Sequence, residues 1–310
     1  MRMLSIIVPA YNEEGSVFEL YQDIAANADK IADTAWEIWF INDGSRDKTE
    51  EKILALAETD SRVHLISLRR NFGKSIALQA GFRHINGDIV FTMDADLQDD
   101  PAEFQNFIDK IDEGYDMVVG WKQKRLDPLE KRLPSKLFNA VTSAAAGFKL
   151  HDFDCGFKCF RREVIDSLDV YGELHRYIPV LAHRNGFRIT EIPVHHRERT
   201  HGKSKYGIER YMRGLLDSLT TTFLLRYSDR PMYFFGRIGV ISAFIGFIIC
   251  LILSIEWITG IPIGHRPLLL LGILLIIVGF QAVSIGFVCN LIIDQNFRRN
   301  YTENHIKIIK

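Results

Sequence analysis

Two long runs without a charged residue constrain this chain more than any other feature of its sequence. Residues 268–293 contain no Asp, Glu, Lys or Arg, and neither do residues 238–255, a run that extends back to Phe234 with only Arg237 interrupting it. Each run reaches the ~20 residues that a helix needs to cross a bilayer. The short link between them predicts a hairpin of two transmembrane helices, at about 235–256 and 268–293. The alternative, a buried helical pair in a soluble protein, fits two uncharged runs of this length poorly.

Basic residues near the ends of these runs predict how the hairpin is oriented. The link contains only Glu256 and Arg266, whereas seven basic residues flank the outer ends of the two runs: Arg226, Arg230, Arg237, Arg298, Arg299, Lys307 and Lys310. Because cytoplasmic segments of membrane proteins carry the excess of Lys and Arg, we expect both termini, including a short C-terminal tail, in the cytoplasm. The chain starts with a short β-branched run rather than a signal peptide, so the N-terminal part should stay on the same side of the cytoplasmic membrane. The hairpin also offers a surface on which copies of the chain can associate.

Net charge and cysteine content exclude several classes of partner. The 38 Lys and Arg residues nearly balance the 39 Asp and Glu residues, which gives a net charge of −1 and no overall attraction to nucleic acid. We therefore expect no nucleic-acid partner and only local electrostatic recognition. The four cysteines form no C-x-x-C pair, which argues against a zinc site or a disulfide framework and favours free thiols.

The first 120 residues alternate apolar runs with amphipathic stretches, which predicts βαβ units around a mainly parallel sheet, an α/β fold. The predicted strands cover 4–9, 36–41, 63–68, 88–93 and 116–120, and the predicted helices cover 14–29, 47–58, 74–85 and 101–112. Because ligands bind at the carboxyl ends of the strands in such sheets, the polar residues that follow each run should gather at one edge. These polar segments are 11–13, 42–45, 69–74 and 94–99.

Residues beyond 120 predict a smaller second part and an approach to the membrane. The predicted elements are a helix at 125–147 across the face of the sheet, strands at 156–160 and 187–194, and a helix at 176–184. A basic loop follows at 195–205. In 206–227 the apolar residues recur on one side of a helix, which predicts a helix lying in the membrane interface. The alternative is a helix that packs two domains together.

The most informative segment closes the fourth predicted strand. Asp94, Asp96 and Gln98 are spaced two apart, and alternate side chains of an extended or turning backbone share one side. Three oxygen ligands can therefore converge on a hard cation, Mg²⁺ or Mn²⁺, which takes its remaining ligands from water and phosphates. A D-x-D pair alone occurs by chance in loops, whereas D-x-D-x-Q at the end of a strand in an α/β sheet is far more specific.

The motifs at these strand ends resemble those of a known family. The segments IVPAYNEE (7–14), NDGS (42–45), RNFGK (70–74) and DADLQ (94–98) are similar to the motifs of family 2 glycosyltransferases with a GT-A fold. Within that family the chain resembles the polyprenyl-phosphate glycosyltransferases, such as dolichyl-phosphate mannosyltransferase and the bactoprenol glucosyltransferases. The segment HRERTHGKSKYG (196–207) strengthens this likeness, and the paired apolar runs match the members that carry their own membrane anchor.

The resemblance implies a domain order and a reaction. Residues 1–205 would form a cytoplasmic GT-A catalytic domain, 206–233 amphipathic interface helices, and 234–310 the two spans and the tail. The enzyme would transfer a sugar, with inversion, from a UDP- or GDP-linked donor to a polyprenyl phosphate such as undecaprenyl or dolichyl phosphate. One alternative is a processive polysaccharide synthase of the same family, which usually carries a Q-x-x-R-W motif that this sequence lacks. The other is a non-catalytic nucleotide-sugar-binding membrane protein.

The resemblance also implies roles on the donor side. The residues at nucleotide-sugar-binding positions are Pro9, Tyr11, Glu13, Asp43, Lys74, Asp94 and Ala95. Asp96 and Gln98 match the ligands of Mg²⁺ or Mn²⁺. The expected catalytic residues are Asp94, Asp96 and Arg197. Ordinary local structure offers alternatives for two of these segments, because Asn12 suits a helix start and Asp43-Gly44 suits a turn.

On the acceptor side, the resemblance implies a group of mainly basic residues around the lipid phosphate. They are Lys122, Lys131, Ser135, Asp152, Arg197, Arg199 and Lys205. At the first two positions lysine replaces the usual arginine, which keeps the charge but loses the bidentate fork. Whether Asp152 or Asp154 faces the site is left open by the sequence. The basic loop would offset the charge of two phosphorylated substrates, and its alternative is a solvated turn or a contact with anionic lipid headgroups.

Overall fold

The chain separates into two compact units, Met1–Thr222 and Phe223–Lys310. This computed structural model describes residues 2–123, 139, 142, 143, 146–197, 223, 227, 230–262 and 266–299, with side chains described up to residue 293.

The first unit alternates strands and helices as predicted. Its strands are β1 (Arg2–Ala10), β2 (Thr34–Asn42), β3 (Val63–Ser67), β4 (Ile89–Thr92), β5 (Met117–Trp121), β6 (Lys158–Arg161) and β7 (Ile189–Pro193). Its described helices are α1 (Val17–Ala28), α2 (Thr49–Thr59), α3 (Lys74–Phe82), α4 (Phe104–Asp112), α5 (Arg162–Asp166) and α6 (Ile178–Arg184), with 3₁₀ turns at Pro101–Glu103 and Leu174–Tyr177. The predicted strands are all present, whereas the short helix α5 has no counterpart in the sequence-based prediction.

The seven strands form one sheet in the order β3-β2-β1-β4-β6-β5-β7. Strand β1 is parallel to both β2 and β4, whereas β6 is inserted antiparallel between β4 and β5. The carboxyl ends of β1, β2 and β4 therefore lie side by side, and Ala10 pairs with Asn42 there. Because β6 begins at Lys158, opposite Thr92 at the end of β4, its amino end joins the same edge. The prediction of a mainly parallel α/β sheet is confirmed.

A cluster of aromatic rings forms the core under this edge. Phe91 of β4 packs against Phe104 and Phe107 of α4 and against Phe157, which precedes β6, with ring centroids 4.6, 5.6 and 6.0 Å away. Each of these rings is fully buried. Buried aromatic side chains contribute much apolar area and interlock in tilted or edge-on arrangements. This packing holds the end of β4, from which the following turn begins, in place.

The second unit consists of two long apolar helices, α7 (Pro231–Ile258) and α8 (Pro267–Arg299). Residues Pro231–Ile258 and Pro267–Ile293 are long and apolar enough to cross a membrane, and only 17% and 11% of their most apolar segments are buried. Such exposed apolar surfaces do not fit the alternative of a buried pair in a soluble protein.

Glycines bring the two helices close together. A Cβ atom added at Gly246 would lie 2.5 Å from the carbonyl oxygen of Gly272, and one added at Gly239 would lie 2.6 Å from that of Gly279. Between these two contacts, the hydroxyl of Ser242 donates a hydrogen bond of 2.9 Å to the carbonyl oxygen of Leu275. Small residues at such contacts are typical of helices that pack within a bilayer.

Candidate active site

The turn after β4 presents oxygen-bearing side chains on one side. Over residues 93–100 every second side chain is buried, and the partly exposed ones include Asp94, Asp96 and Gln98. Leu97 adopts a left-handed backbone with φ of 63°, and the N–H of Gln98 donates to Oδ1 of Asp96 at 3.3 Å. The predicted alternation of this segment is confirmed. It gives one carboxylate–carboxylate–amide surface at the carboxyl end of β4.

A buried carboxylate supports this turn from inside. Asp99 is 1% exposed, and its Oδ2 accepts a hydrogen bond of 3.2 Å from the N–H of Asp94. Its Oδ1 lies 3.0 Å from Nζ of Lys122. Burial lowers the pKa of Lys122, but the charges of Asp99 and Asp94 and the hydrogen bond to Asp99 together raise it overall. Lys122, predicted to hold the acceptor phosphate, thus has a carboxylate partner inside the protein, and its contact with phosphate stays a prediction.

Asp94 forms an ion pair with Lys74, the first residue of α3. The two side chains are 34% and 31% exposed, so a ligand can reach both. Burial raises the pKa of Asp94, but the charges of Lys74 and Lys122 outweigh it and hold the pKa well below its ordinary value. Burial lowers the pKa of Lys74, but the charge of Asp94 and its hydrogen bond, with the charges of Asp154 and Asp99, raise it overall. The pair is therefore ionised at neutral pH.

The backbone before β6 forms a wall against Asp94. A Cβ atom added at Gly156 would lie 2.5 Å from Oδ2 of Asp94, a distance at which one of the two groups must move. The carbonyl oxygen of Gly156 accepts a hydrogen bond of 2.9 Å from Oγ1 of Thr92, which fixes the wall to the end of β4. Glycine at position 156 is thus required for the observed position of the carboxylate.

Asp43 holds the loop that carries Lys74. Its oxygens accept hydrogen bonds of 2.8 Å from the N–H of Phe72 and 2.9 Å from the N–H of Gly73, and the residue is 4% exposed. The next residue, Gly44, has φ of 67°, and a Cβ atom there would lie 2.3 Å from the carbonyl carbon of Arg70. The described role of Asp43-Gly44 is therefore to position this loop. The predicted contact of Asp43 with a nucleoside stays a prediction.

The loops after β1 and β2 are tied together beside this site. Asn12 has a left-handed φ of 58°, its N–H donates to Oγ of Ser45 at 2.9 Å, and its Oδ1 accepts from the N–H of Arg46 at 2.8 Å. The adjacent Tyr11 is 42% exposed, and Glu13 is partly exposed. Both predicted donor-binding residues are therefore accessible on a loop that is held in place.

Two carboxylates hold Arg197. Its Nη1 lies 2.5 Å from Asp23 of α1, its Nη2 lies 2.8 Å from Asp100, and its backbone N–H donates to the carbonyl oxygen of Gln98 at 3.0 Å. Burial lowers the pKa of Arg197, but the hydrogen bond to Asp23 and the charge of Asp100 raise it overall. The start of the basic loop is thus tied to the turn after β4. These bonds give Arg197 a structural role, and its predicted catalytic role stays a prediction.

Of the two acidic residues that the sequence leaves open, Asp154 is the accessible one. Its side chain is 40% exposed and lies 3.1 Å from Nη1 of Arg176, whereas Asp152 is 1% exposed. The neighbouring His175 has its Nδ1 2.9 Å from Oγ of Ser75, the residue after Lys74. Burial lowers the pKa of His175 to about 3, so the ring is neutral. The predicted contact of Asp152 with the acceptor stays a prediction.

The other predicted positions fall into two groups. Pro9 is partly exposed in β1, and Ala95 is 4% exposed behind the turn after β4. The remaining predicted acceptor residues lie outside the described residues, namely Lys131, Ser135, Arg199 and Lys205. Most of the helix predicted at 125–147 and of the interface segment predicted at 206–233 also lies outside them. The sequence analysis placed Asp99 in the polar segment 94–99 without giving it a role, and it missed Gly156, His175 and Arg176 as site residues.

Comparison with protein families and curated proteins gives matches over most of the chain. The family model described as glycosyl transferase family 2 matches residues 5–169. Dodecaprenyl-phosphate galacturonate synthase of Rhizobium johnstonii is 35% identical over 309 residues, which cover 98% of this chain and 91% of that protein. Undecaprenyl-phosphate 4-deoxy-4-formamido-L-arabinose transferase of Shewanella sediminis is 38% identical over 288 residues, which cover 91% of this chain and 85% of that protein.

Among solved structures, the chain resembles glucosyl-3-phosphoglycerate synthase from Mycobacterium tuberculosis. Its complex with Mn²⁺, uridine diphosphate and phosphoglyceric acid aligns with a TM-score of 0.56 at 18% identity, covering 71% of this chain and 78% of that chain. A second complex, with Mn²⁺, UDP-glucose and phosphoglyceric acid, aligns with a TM-score of 0.54 at 18% identity, covering 71% and 79%. At this identity the likeness concerns the fold, and it agrees with the sheet described above.

Proposed function

The chain belongs to glycosyltransferase family 2, and on that basis we propose that it transfers a sugar from a nucleoside-diphosphate sugar to a polyprenyl phosphate at a membrane surface. The observation that carries this proposal is the length of the likeness. The relative that is named for dodecaprenyl phosphate matches 98% of the chain, which includes both the turn after β4 and the apolar hairpin. A membrane anchor in the same chain would keep an enzyme near a lipid acceptor.

The turn after β4 fits a hard divalent cation, Mg²⁺ or Mn²⁺. Asp96 offers a carboxylate and Gln98 an amide oxygen, both partly exposed on the same side, and oxygen ligands of these types suit such cations. When bound, the ion would neutralise the negative charge that develops on the leaving diphosphate. Asp96 and Gln98 are the residues that would hold it.

Asp94 and Lys74 are proposed to bind the donor next to these ligands. Their ion pair holds the Asp94 carboxylate against Gly156, and the loop fastened by Asp43 holds Lys74. Because contacts within the protein hold these side chains in position, little reorganisation is needed during the reaction. Tyr11 and Glu13, accessible at the end of β1, are proposed to contact the nucleoside.

The proposed reaction is a single displacement. A phosphate oxygen of the acceptor attacks the anomeric carbon on the side opposite the diphosphate, and a new carbon–oxygen bond forms as the bond to the diphosphate oxygen breaks. The electron pair of the broken bond leaves with the diphosphate, and the configuration at the anomeric carbon inverts. Because the acceptor phosphate is already ionised near neutral pH, no side chain has to act as a strong base. Positioning and charge neutralisation supply most of the rate.

We further propose that the hairpin spans the cytoplasmic membrane twice, with the catalytic unit and both termini in the cytoplasm. The basic residues that flank the two runs support this orientation, since Arg230 and Arg237 lie near the start of α7 and basic residues follow α8. Arg266 is the only Lys or Arg in the link between the helices, and it pairs with Glu256. The exposed apolar faces of α7 and α8 also support association of copies of the chain within the bilayer.

The release of nucleoside diphosphate tests this proposal. The purified full chain is mixed with Mg²⁺ and a panel of UDP- and GDP-sugars, with and without undecaprenyl phosphate, and Asp96→Ala serves as the matched control. We expect release that depends on both the lipid phosphate and Asp96. Release that is independent of the lipid would favour a polysaccharide synthase. Binding of nucleotide-sugar without release, under every condition, would favour a non-catalytic protein.

A further inference from the structure

Lys158 is a buried lysine without a carboxylate partner among the described residues. It is the first residue of β6 and is 4% exposed. Its ammonium donates a hydrogen bond to the carbonyl oxygen of Cys155. A lysine ammonium has three N–H donors, so this one bond leaves two of them to be satisfied.

Four other basic side chains near the turn after β4 each have a carboxylate within 4.0 Å. The pairs are Lys74 with Asp94, Lys122 with Asp99, Arg176 with Asp154, and Arg197 with Asp100. Lys158 is buried like Lys122 but, unlike these four side chains, has no carboxylate in contact among the described residues. This contrast needs a physical reason.

Burying an ammonium without a carboxylate in contact is unfavourable, because the charges of Asp152 and Asp154 nearby offset only part of the lost hydration. Burial lowers the pKa of Lys158 accordingly. An apolar side chain of similar length would fill the same space without this cost. A buried charge that weakens the fold is expected where it serves a bound ligand.

The position of Lys158 indicates which ligand it would contact. Lys158 lies opposite Thr92 of β4, and Thr92 is two residues before Asp94 in the chain. The charge of Lys158 also contributes to the lowered pKa of Asp94. Asp94 and Lys74, the proposed donor-binding pair, are both accessible at this point. Because the lysine stem is flexible, the ammonium can leave the Cys155 carbonyl and reach into the site.

We propose that Lys158 contacts the substrate, and that an anionic oxygen of the bound substrate accepts a hydrogen bond from its ammonium. This inference rests on the proposed function, which supplies such oxygens from two sources. One source is a phosphate group, on the acceptor or on the donor. The other is a carboxylate on the donor sugar. The chemistry is the same in both cases, a charge-assisted hydrogen bond from the ammonium to oxygen.

The test compares the native full chain with Lys158→Met, which keeps the length without the charge, and Lys158→Arg, which keeps the charge. Lys158→Gln retains a donor for the Cys155 carbonyl and replaces the methionine variant if that variant does not fold. The probes are undecaprenyl phosphate, UDP, and the pair UDP-galactose and UDP-galacturonate, which differ at C6 by a carboxylate. The measurements are the melting temperature without a probe and the affinity for each probe with Mg²⁺ present.

We expect the neutral variant to melt at the native temperature or above it, since a buried charge without a carboxylate in contact has been removed. Its affinity for at least one probe should fall by about 10- to 100-fold, the effect of losing one charged hydrogen bond, and Lys158→Arg should restore part of it. A loss confined to undecaprenyl phosphate assigns the acceptor phosphate, and a loss shared by UDP assigns the diphosphate. A loss for UDP-galacturonate that UDP-galactose does not share assigns a sugar carboxylate.

Native affinity of the neutral variant for every probe that binds the native chain overturns the inference and leaves the proposed function intact. A lower melting temperature with unchanged affinities assigns Lys158 a purely structural role. A native chain that binds none of the probes overturns the proposed function, and the inference with it.

Discussion

Replacing Gly156 by alanine tests whether the position of Asp94 matters for turnover. The new Cβ would lie 2.5 Å from Oδ2 of Asp94, whereas ordinary van der Waals contact begins at 3.4 Å, so the carboxylate and the backbone at 156 must separate by about 0.9 Å. Such a shift disturbs the ion pair with Lys74. A displacement of about 1 Å at a reacting centre can lower a rate by about 10²-fold. The ion pair is one-third exposed, so its loss should lower the free energy of unfolding by no more than about 1 kcal/mol.

The assay is kcat for sugar transfer to undecaprenyl phosphate, with the melting temperature of each variant measured alongside. Gly120→Ala is the matched control, because its Cβ would contact the same wall at 3.1 Å from the carbonyl oxygen of Phe157 and 3.2 Å from Sγ of Cys155, and Asp94 is not among its three nearest neighbours. We expect a large loss of kcat in Gly156→Ala, a much smaller loss in Gly120→Ala, and similar melting temperatures. Near-native turnover in a folded Gly156→Ala, or equal losses in the two variants, would refute the assignment of Asp94 to the donor site.

Three further predictions concern the metal, the basic loop and the membrane. Asp96→Ala should nearly abolish turnover with Mg²⁺ or Mn²⁺ present, and near-normal activity would remove the metal assignment. Arg197→Ala should lower turnover far more than Asp23→Ala, which breaks the same ion pair from the other side. The two variants should melt at similar temperatures, and equal losses of turnover would leave Arg197 only its structural role. A cysteine introduced at Thr259 in the link should react with a membrane-impermeant thiol reagent in intact cells, whereas one at Thr302 in the tail should not, and the reverse pattern would contradict the proposed orientation.

Periodicity and motif spacing predicted the sheet and the convergence at its edge because both depend on local sequence. Alternation of apolar and polar residues over 93–100 determines which side chains are exposed, so the positions of Asp94, Asp96 and Gln98 on one side followed from their spacing. Strand β6 was predicted as a strand, but its antiparallel insertion between β4 and β5 depends on pairing between distant residues. No local pattern in a four-residue strand specifies its neighbours.

The partners of the charged residues were harder to predict for the same reason. Lys122 was assigned to the acceptor phosphate from its charge and its match to the family, yet its ion pair with Asp99 depends on how β5 packs beside the turn after β4. Arg197 and Asp23 are separated by 174 residues, and their contact is a property of the folded chain alone. The need for glycine at 156 likewise arises from the Asp94 carboxylate, which only the fold brings near.

The central proposal, sugar transfer to a lipid phosphate, is tested most directly by the mass of the lipid product. The purified full chain is incubated with undecaprenyl phosphate, Mg²⁺ and each nucleotide-sugar of a panel, and the organic extract is examined by mass spectrometry. We predict undecaprenyl phosphate carrying a single sugar for at least one donor, formed in equal amount with free nucleoside diphosphate and missing with Asp96→Ala. Sugar polymer, or release of nucleoside diphosphate with unmodified lipid for every donor, would contradict it.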